Sequence, residues 1–250
     1  MYRRVKKPRP KVGVSSKVFC CPALQQDSRT AEIMQKRRQF LKTAFGFLTG
    51  LGLLLSPLFG AFRLAYGKAK KIILPKGINR AELIDKDPED LDTRNLETTP
   101  LKDFDTMGVT DHEVDLNQWR LEVTGRVKTP LSLTNEEIRA LPSIEKNVLL
   151  ICPGFFANHG KWRGISLGKL LEEAKVEKSA SLVKVSGPEE YGSEKIEEFP
   201  IEDVLSDRVF LAYGVNDQIL PKKHGFPLRV VAEGYYGSYW VKYAYKVKVI

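Results

Sequence analysis

Cysteine and histidine are among the scarce residues of this 250-residue chain, three of each, and their scarcity excludes several kinds of redox protein. No Cys-x-x-Cys-His run is present for covalent haem attachment, and three cysteines cannot supply the thiolate set of an iron–sulfur cluster. Cys20 and Cys21 lie far in front of Cys152, so the long C-terminal part of the chain holds one thiol with nothing to pair with. A disulfide framework is thereby excluded for that part. Internal repeats and low-complexity tracts are lacking too, which argues against a solenoid or a disordered chain.

A uniform charge is also missing. The formal net charge of +9 is carried by residues 1–71, which hold 16 basic side chains against Asp27 and Glu32, a net of +14. Residues 72–250 hold 24 basic and 29 acidic side chains, a net of −5. A nucleic-acid-binding domain needs the positive field on its folded part, and that field is absent here.

The front end reads as an export signal. "KRRQFLK" at 36–42 precedes an uncharged run from Thr43 to Phe62, followed by Arg63, Lys68, Lys70 and Lys71. A basic region, an apolar region and a small-residue exit at Gly67–Ala69 form the secretory pattern. Arg37-Arg38 followed by Phe40-Leu41-Lys42 resembles the twin-arginine consensus, a route that exports proteins already folded around a cofactor. Met34 offers an alternative start. The uncharged run is long enough to span a bilayer, so an uncleaved, anchored form is a second reading. The expected organisation is a basic extension and twin-arginine-type signal over 1–71, an extended polar lead-in over 72–100, and one domain over 101–250.

Within that domain the patterns are mixed. "RLEVTGRV" (120–127) alternates as a half-buried strand, and Thr134 with Glu137 has capping-box spacing at the start of a short helix. "NVLLIC" (147–152) is an apolar strand, and Leu167, Leu170 and Leu171 fall at helical spacing. Further strands are predicted at 181–187, 208–214, 226–232 and 241–250, where β-branched and aromatic residues concentrate. Strands outnumber short helices, and the predicted fold class is α+β.

Two stretches carry chemistry. Cys152 ends a strand and is followed by Pro153-Gly154, where a chain leaves the core. Its plain reading is a small core hydrophobe; a position at a cleft leaves a ligand or nucleophile role open. Between Gln218 and Ile250, six basic residues face the single acid Glu233, and His224 and Arg229 bracket a Gly-Phe-Pro turn. Gly234 and Gly237 let backbone approach a ligand, and Arg with backbone amides suits a phosphate-bearing one. His112, in "TDHEVD", reads as polar surface.

The run "HGFPLRVVAEGYYGSYWVKY" resembles the molybdopterin-binding segment of the sulfite oxidase family, and "LLICPGFFANHGKWRGISLGKLLEEA" resembles that family's cysteine segment. "LAYGVNDQILP" is similar to the strand and turn before the His, with Asp217 where glycine is usual. The likeness covers roughly 95–250 and, with the signal, points to exported bacterial relatives of the periplasmic methionine-sulfoxide reductase catalytic subunit. It implies a strand-rich sulfite-oxidase-type fold with a molybdenum–molybdopterin cofactor. Cys152 would be the metal's thiolate ligand and the catalytic residue. His224, Arg229, Trp240, Val241 and Lys242 would bind the cofactor, joined by Gly187 or Glu189 and by Asp105 and Thr106. The implied activity is oxygen-atom transfer on a small sulfur- or nitrogen-containing or organic oxide, in the periplasm. Electrons would pass to or from a separate partner, such as a membrane haem protein, and the twin-arginine machinery is a second implied partner. Sulfite oxidases carry arginines soon after the cysteine, where this chain has Pro153, Gly154, Phe155 and Phe156. With Tyr235 and Tyr236 these predict a cleft for a neutral substrate. Two competing classes are a non-catalytic pterin- or anion-binding module and a cysteine hydrolase using His159 or His224 as base.

Overall fold

The computed structural model describes residues 71–250. The export motif, Cys20 and Cys21 lie outside the described residues.

The longest regular feature is an antiparallel hairpin of β5 (Ser143–Cys152) and β6 (Phe156–Ile165), in register from Ser143 opposite Ile165 to Cys152 opposite Phe156. Its tight turn, Pro153–Phe155, is closed by Phe155 N–H donating to Cys152 O at 3.0 Å. No strand is predicted over "FANHGKWRGI" from the sequence pattern. This stretch is a strand because both its edges are paired, to β5 on one side and to β9 (Val209–Val215) on the other. Ladder hydrogen bonds outweigh the weak strand propensity of Gly, Asn and Lys. Around β9 this sheet adds β10 (Gln218–Ile219) and β11 (Arg229–Ala232).

A second sheet has the order β4 (Leu131–Leu133), β3 (Leu121–Gly125), β12 (Lys246–Val249), β7 (Leu182–Pro188), β8 (Glu194–Pro200). Three short helices, α1 (Asn135–Ala140), α2 (Leu167–Glu173) and α3 (Ile201–Leu205), complete a strand-rich fold. Helix α1 starts at the expected capping box: Glu137 N–H donates to Thr134 Oγ1 at 3.1 Å, and Thr134 N–H to Glu137 Oε2 at 2.8 Å. The strand expected over 241–250 is confined to β12, since Tyr243 takes a left-handed φ of 53° and breaks the extended run. Of the strands that the sequence pattern did not announce, β6 and β8 are the longest.

The lead-in is more than an extended linker. It contains short 3-10 turns at Arg80–Leu83 and Pro88–Asp90, and a parallel pair of β1 (Ile72–Ile73) and β2 (Leu91–Asp92), and a third such turn, Leu101–Asp103, follows it. Leu74, Leu83 and Leu91 form a small core with Leu149, Ile151 and Ala157 of the hairpin. Val148, Leu150 and Phe156 point the other way, into the main core with Trp162, Leu211 and Val247. The hairpin is therefore apolar on both faces, which explains the continuous "VLLI" run in place of alternation.

Candidate active site

Cys152 ends β5 beside a cavity of about 320 Å³. Its walls come from the hairpin tip, from residues 104–109, and from His224, Arg229, Trp240 and Lys242. Seven of the nine residues expected from the sequence meet here: Cys152, His224, Arg229, Trp240, Lys242, Asp105 and Thr106. Two do not reach the cavity. Val241 is turned into the main core, and Gly187 lies in β7 behind the wall, where any Cβ would collide with Lys242 O. Gly187 thus lets the Val241–Lys242 backbone lie flat, while its neighbours Pro188 and Glu189 line the cavity.

Tyr235 and Tyr236 also leave the expected cleft wall. Tyr235 turns its hydroxyl to Asp203 and its ring to Phe199, and Tyr236 packs on the second, lead-in core. The apolar lining instead comes from Phe104, Met107, Leu150, Phe155 and Phe156. Phe155 is 70% exposed at the mouth.

Arg229 is fully buried at 3% exposure and has no carboxylate partner among the described residues. Its guanidinium lies 5.1 Å from the Trp162 ring centroid and 5.4 Å from that of Trp240, and Nη1 donates to His224 O at 3.0 Å. Two indole faces stabilise the cation where water cannot. Burial still lowers its pKa, to about 10, and Cys152 and Tyr243 partly oppose this. Arg229 Nε and His224 Nε2 are buried without a hydrogen-bond partner among the described residues. Unpaired buried nitrogens of this kind are costly unless a ligand meets them.

Burial, then Arg229, Lys223 and Lys242, push His224 down to about 4, so it is neutral near pH 7. Lys242 falls to about 8, through burial first and Arg229 second. Its Nζ donates to Thr106 Oγ1 at 2.7 Å, Val109 O at 2.9 Å and Lys223 O at 3.0 Å. All three ammonium protons are thus taken, and the wall segment 105–109 is tied to the floor. Asn158 holds the other end of that segment, donating from Nδ2 to Asp105 O at 2.9 Å. Asn158 has no signal in the sequence as a site residue, because its place at the cavity depends on the pairing of β6.

Burial raises the Cys152 thiol above its ordinary value, and Arg229 and Lys242 pull it partly back. Gly237 packs directly on this sulfur: a Cβ there would stand 2.5 Å from Sγ. His159 lies on the opposite face of β6, 1% exposed, with Nδ1 3.2 Å from Glu97 O. It does not line the Cys152 cavity, which removes it as the base of a cysteine hydrolase. His112 is exposed, edge-on to Tyr243.

The arrangement fits an anionic metal cofactor. One soft ligand stands at the cavity, two buried nitrogens are unpaired, one of them on a cation without a carboxylate partner, and no protein-only cluster of metal-binding side chains forms among the described residues. A metal held here needs most of its ligands from an organic carrier.

The family model described as "Oxidoreductase molybdopterin binding domain" matches residues 107–250. The chain belongs to this family of molybdopterin-binding oxidoreductases. Similar proteins include the uncharacterized oxidoreductase YuiH of Bacillus subtilis (strain 168), 32% identical over 47% of this chain and 58% of that protein. The protein-methionine-sulfoxide reductase catalytic subunit MsrP of Gluconobacter oxydans (strain 621H) is 26% identical over 53% of this chain and 47% of its own. Among solved structures, the sulfane dehydrogenase SoxCD from Paracoccus pantotrophus superposes with a TM-score of 0.51 at 26% identity, over 55% of this chain and 39% of that one. The chain therefore spans about half the length of these relatives or less. The family places it among sulfite-oxidase-type molybdopterin oxidoreductases, with molybdopterin as cofactor.

Proposed function

We propose that this oxidoreductase transfers an oxygen atom from a small neutral organic oxide, such as a sulfoxide or an N-oxide, or to its reduced form, after export as a folded protein by the twin-arginine route to the periplasm. The observation that carries the substrate class is the mouth of the Cys152 cavity. Phe155 and Met107 are exposed there, and the arginine nearest in sequence, Arg163, is exposed on β6 and does not line the cavity. Apart from Arg229, which this reading gives to the cofactor, no guanidinium lines the cavity to replace the hydration of a small inorganic dianion, whereas an apolar substituent gains by covering the two side chains.

In this reading Cys152 supplies the thiolate ligand: its proton would be lost to solvent on binding, and the positive charge of the metal would offset the cost of the buried thiolate. Arg229 and the neutral His224 bind the cofactor's phosphate end through their unmet nitrogens, and Lys242 keeps the 105–109 wall closed over it. When bound, the molybdenum–molybdopterin group supplies the two-electron oxygen-atom chemistry. The protein orients it, excludes water with Phe104, Phe156 and Trp240, and leaves one apolar opening. Electrons come from or go to a separate protein, for which a membrane haem partner is the proposed kind. Among the described residues no helix is long and apolar enough to cross a membrane.

The test is metal and pterin content of chain purified from a twin-arginine-competent host, beside Cys152→Ala, followed by turnover of sulfite and of dialkyl sulfoxides. About one metal per chain, an altered metal spectrum in the variant, and sulfoxide reduction without sulfite oxidation support the reading. Sulfite turnover at an ordinary enzyme rate of about 10 per second refutes the substrate class. Properly folded wild-type chain lacking metal and pterin refutes the assignment of the site.

A further inference from the structure

We infer that Asp203, Arg208 and Tyr235 form a brace that fixes where the Glu233–Trp240 turn meets Cys152, making Tyr235 a positioning residue for the reactive sulfur. None of the three lines the cavity. They act through the turn. Gly237 lies on Cys152 Sγ so closely that a single added carbon would stand 2.5 Å from it, so small movements of the turn alter how well the sulfur is covered.

The brace starts at α3. Asp203 accepts from Arg208 Nη1 at 2.9 Å through one carboxylate oxygen and from the Tyr235 hydroxyl through the other. Arg208 also lies over the Tyr235 ring, 5.8 Å from its centroid, and is tied to the base of the turn by Glu233 N–H donating to Arg208 O at 2.8 Å. Its Nη2 reaches Glu233 O at 3.4 Å and Glu89 of the lead-in at 3.5 Å. Burial and the bond to Asp203 push the Tyr235 phenol well above its usual value, so it remains a donor at every working pH.

From Tyr235 the constraint passes to the site by two short paths. Its carbonyl accepts from Trp240 Nε1 at 3.3 Å, which orients the indole that covers Arg229. Trp240 N–H in turn donates to Gly237 O at 3.1 Å, closing the turn against Cys152. The "GYYG" tyrosine that the sequence pattern offered as a substrate wall thus works from behind.

The test compares Tyr235→Phe with Tyr245→Phe in the full chain. Tyr245 makes an equivalent hydroxyl–carboxylate bond, to Glu194 at 2.6 Å, and neither of these two residues lines the Cys152 cavity. Loss of one ordinary hydrogen bond raises the population of a displaced turn by about 3- to 10-fold. Iodoacetamide should therefore label Cys152 of cofactor-free Tyr235→Phe faster by a similar factor, and label Tyr245→Phe at the wild-type rate. In metal-loaded protein the metal's electron paramagnetic spectrum should shift in Tyr235→Phe alone. Asp203→Ala, which removes both of its bonds, should move both readouts in the same direction. Equal labelling rates and spectra for the two Tyr→Phe variants overturn the brace, even if both lose stability. The loaded-protein readout rests on the proposed function; the thiol rate does not, so absence of metal would refute that function and leave the brace to be judged by labelling.

Discussion

Substituting Gly237 by Ala tests the site at its tightest contact. The new Cβ would stand 2.5 Å from Cys152 Sγ, 2.9 Å from Leu150 Cδ1 and 3.2 Å from Ile151 O. Carbon and sulfur atoms at rest keep roughly 3.5–4.0 Å apart, so turn and hairpin tip must separate by about 1 Å. Overpacking of this kind costs about 1–3 kcal/mol. In a folded unit of this size that lowers the melting midpoint by about 2–12 °C. A misplacement of about 1 Å at the reacting centre costs on the order of 100-fold in turnover. The assay is a thermal melt of the full chain with Gly237→Ala, Cys152→Ala and the double variant, together with metal content and turnover of the single Gly237 variant. Because Sγ is the nearest clashing atom, removing it should relieve part of the strain. A coupling of about 0.5–2 kcal/mol between the two substitutions is expected. Strict additivity, with metal content and turnover unchanged in Gly237→Ala, would refute the claim that the turn is seated on the sulfur.

Two further predictions concern the buried bases. Arg229→Met keeps bulk between Trp162 and Trp240 but removes the charge, so the melting midpoint should stay within a few degrees while pterin retention falls about 10- to 100-fold; full pterin content in purified Arg229→Met would exclude Arg229 as a phosphate contact. Burial lowers the pKa of His159 below its usual 6.5 and pushes that of His224 to about 4. As pH falls below about 6.5, the unfolded chain takes up protons that the folded chain refuses, and stability drops. Urea midpoints of the cofactor-free chain between pH 7 and pH 4.5 should fall with acidification, less steeply in His159→Gln; parallel slopes would show that His159 is not held neutral.

Local signals in the sequence translated well into structure. The Thr134/Glu137 box and the leucines of α2 depend on residues within one or two helical turns, and both helices form where they were read. Strand β6 depends instead on partners in β5 and β9, so "ANHGKWRG" carries no visible sign of burial. The same limit applies to the site. His224, Arg229 and Cys152 stand out by residue type and spacing and do share one cavity. Which of two adjacent tyrosines faces Asp203 and which faces the lead-in core is fixed by the path of the turn, and neither faces the cavity. Lys242 shows the point again: its acceptors come from residues 106, 109 and 223, far apart along the chain.

The covering of the hairpin's second face by residues 71–99 has a practical corollary for anyone trimming the chain. The family match begins at residue 107, and a fragment cut there would keep every residue that meets in the Cys152 cavity except Phe104, Asp105 and Thr106. It would also strip Leu74, Leu83 and Leu91 from Leu149, Ile151 and Ala157. The result is a bare, sticky flank on the hairpin that ends at Cys152, and a ready seed for self-association.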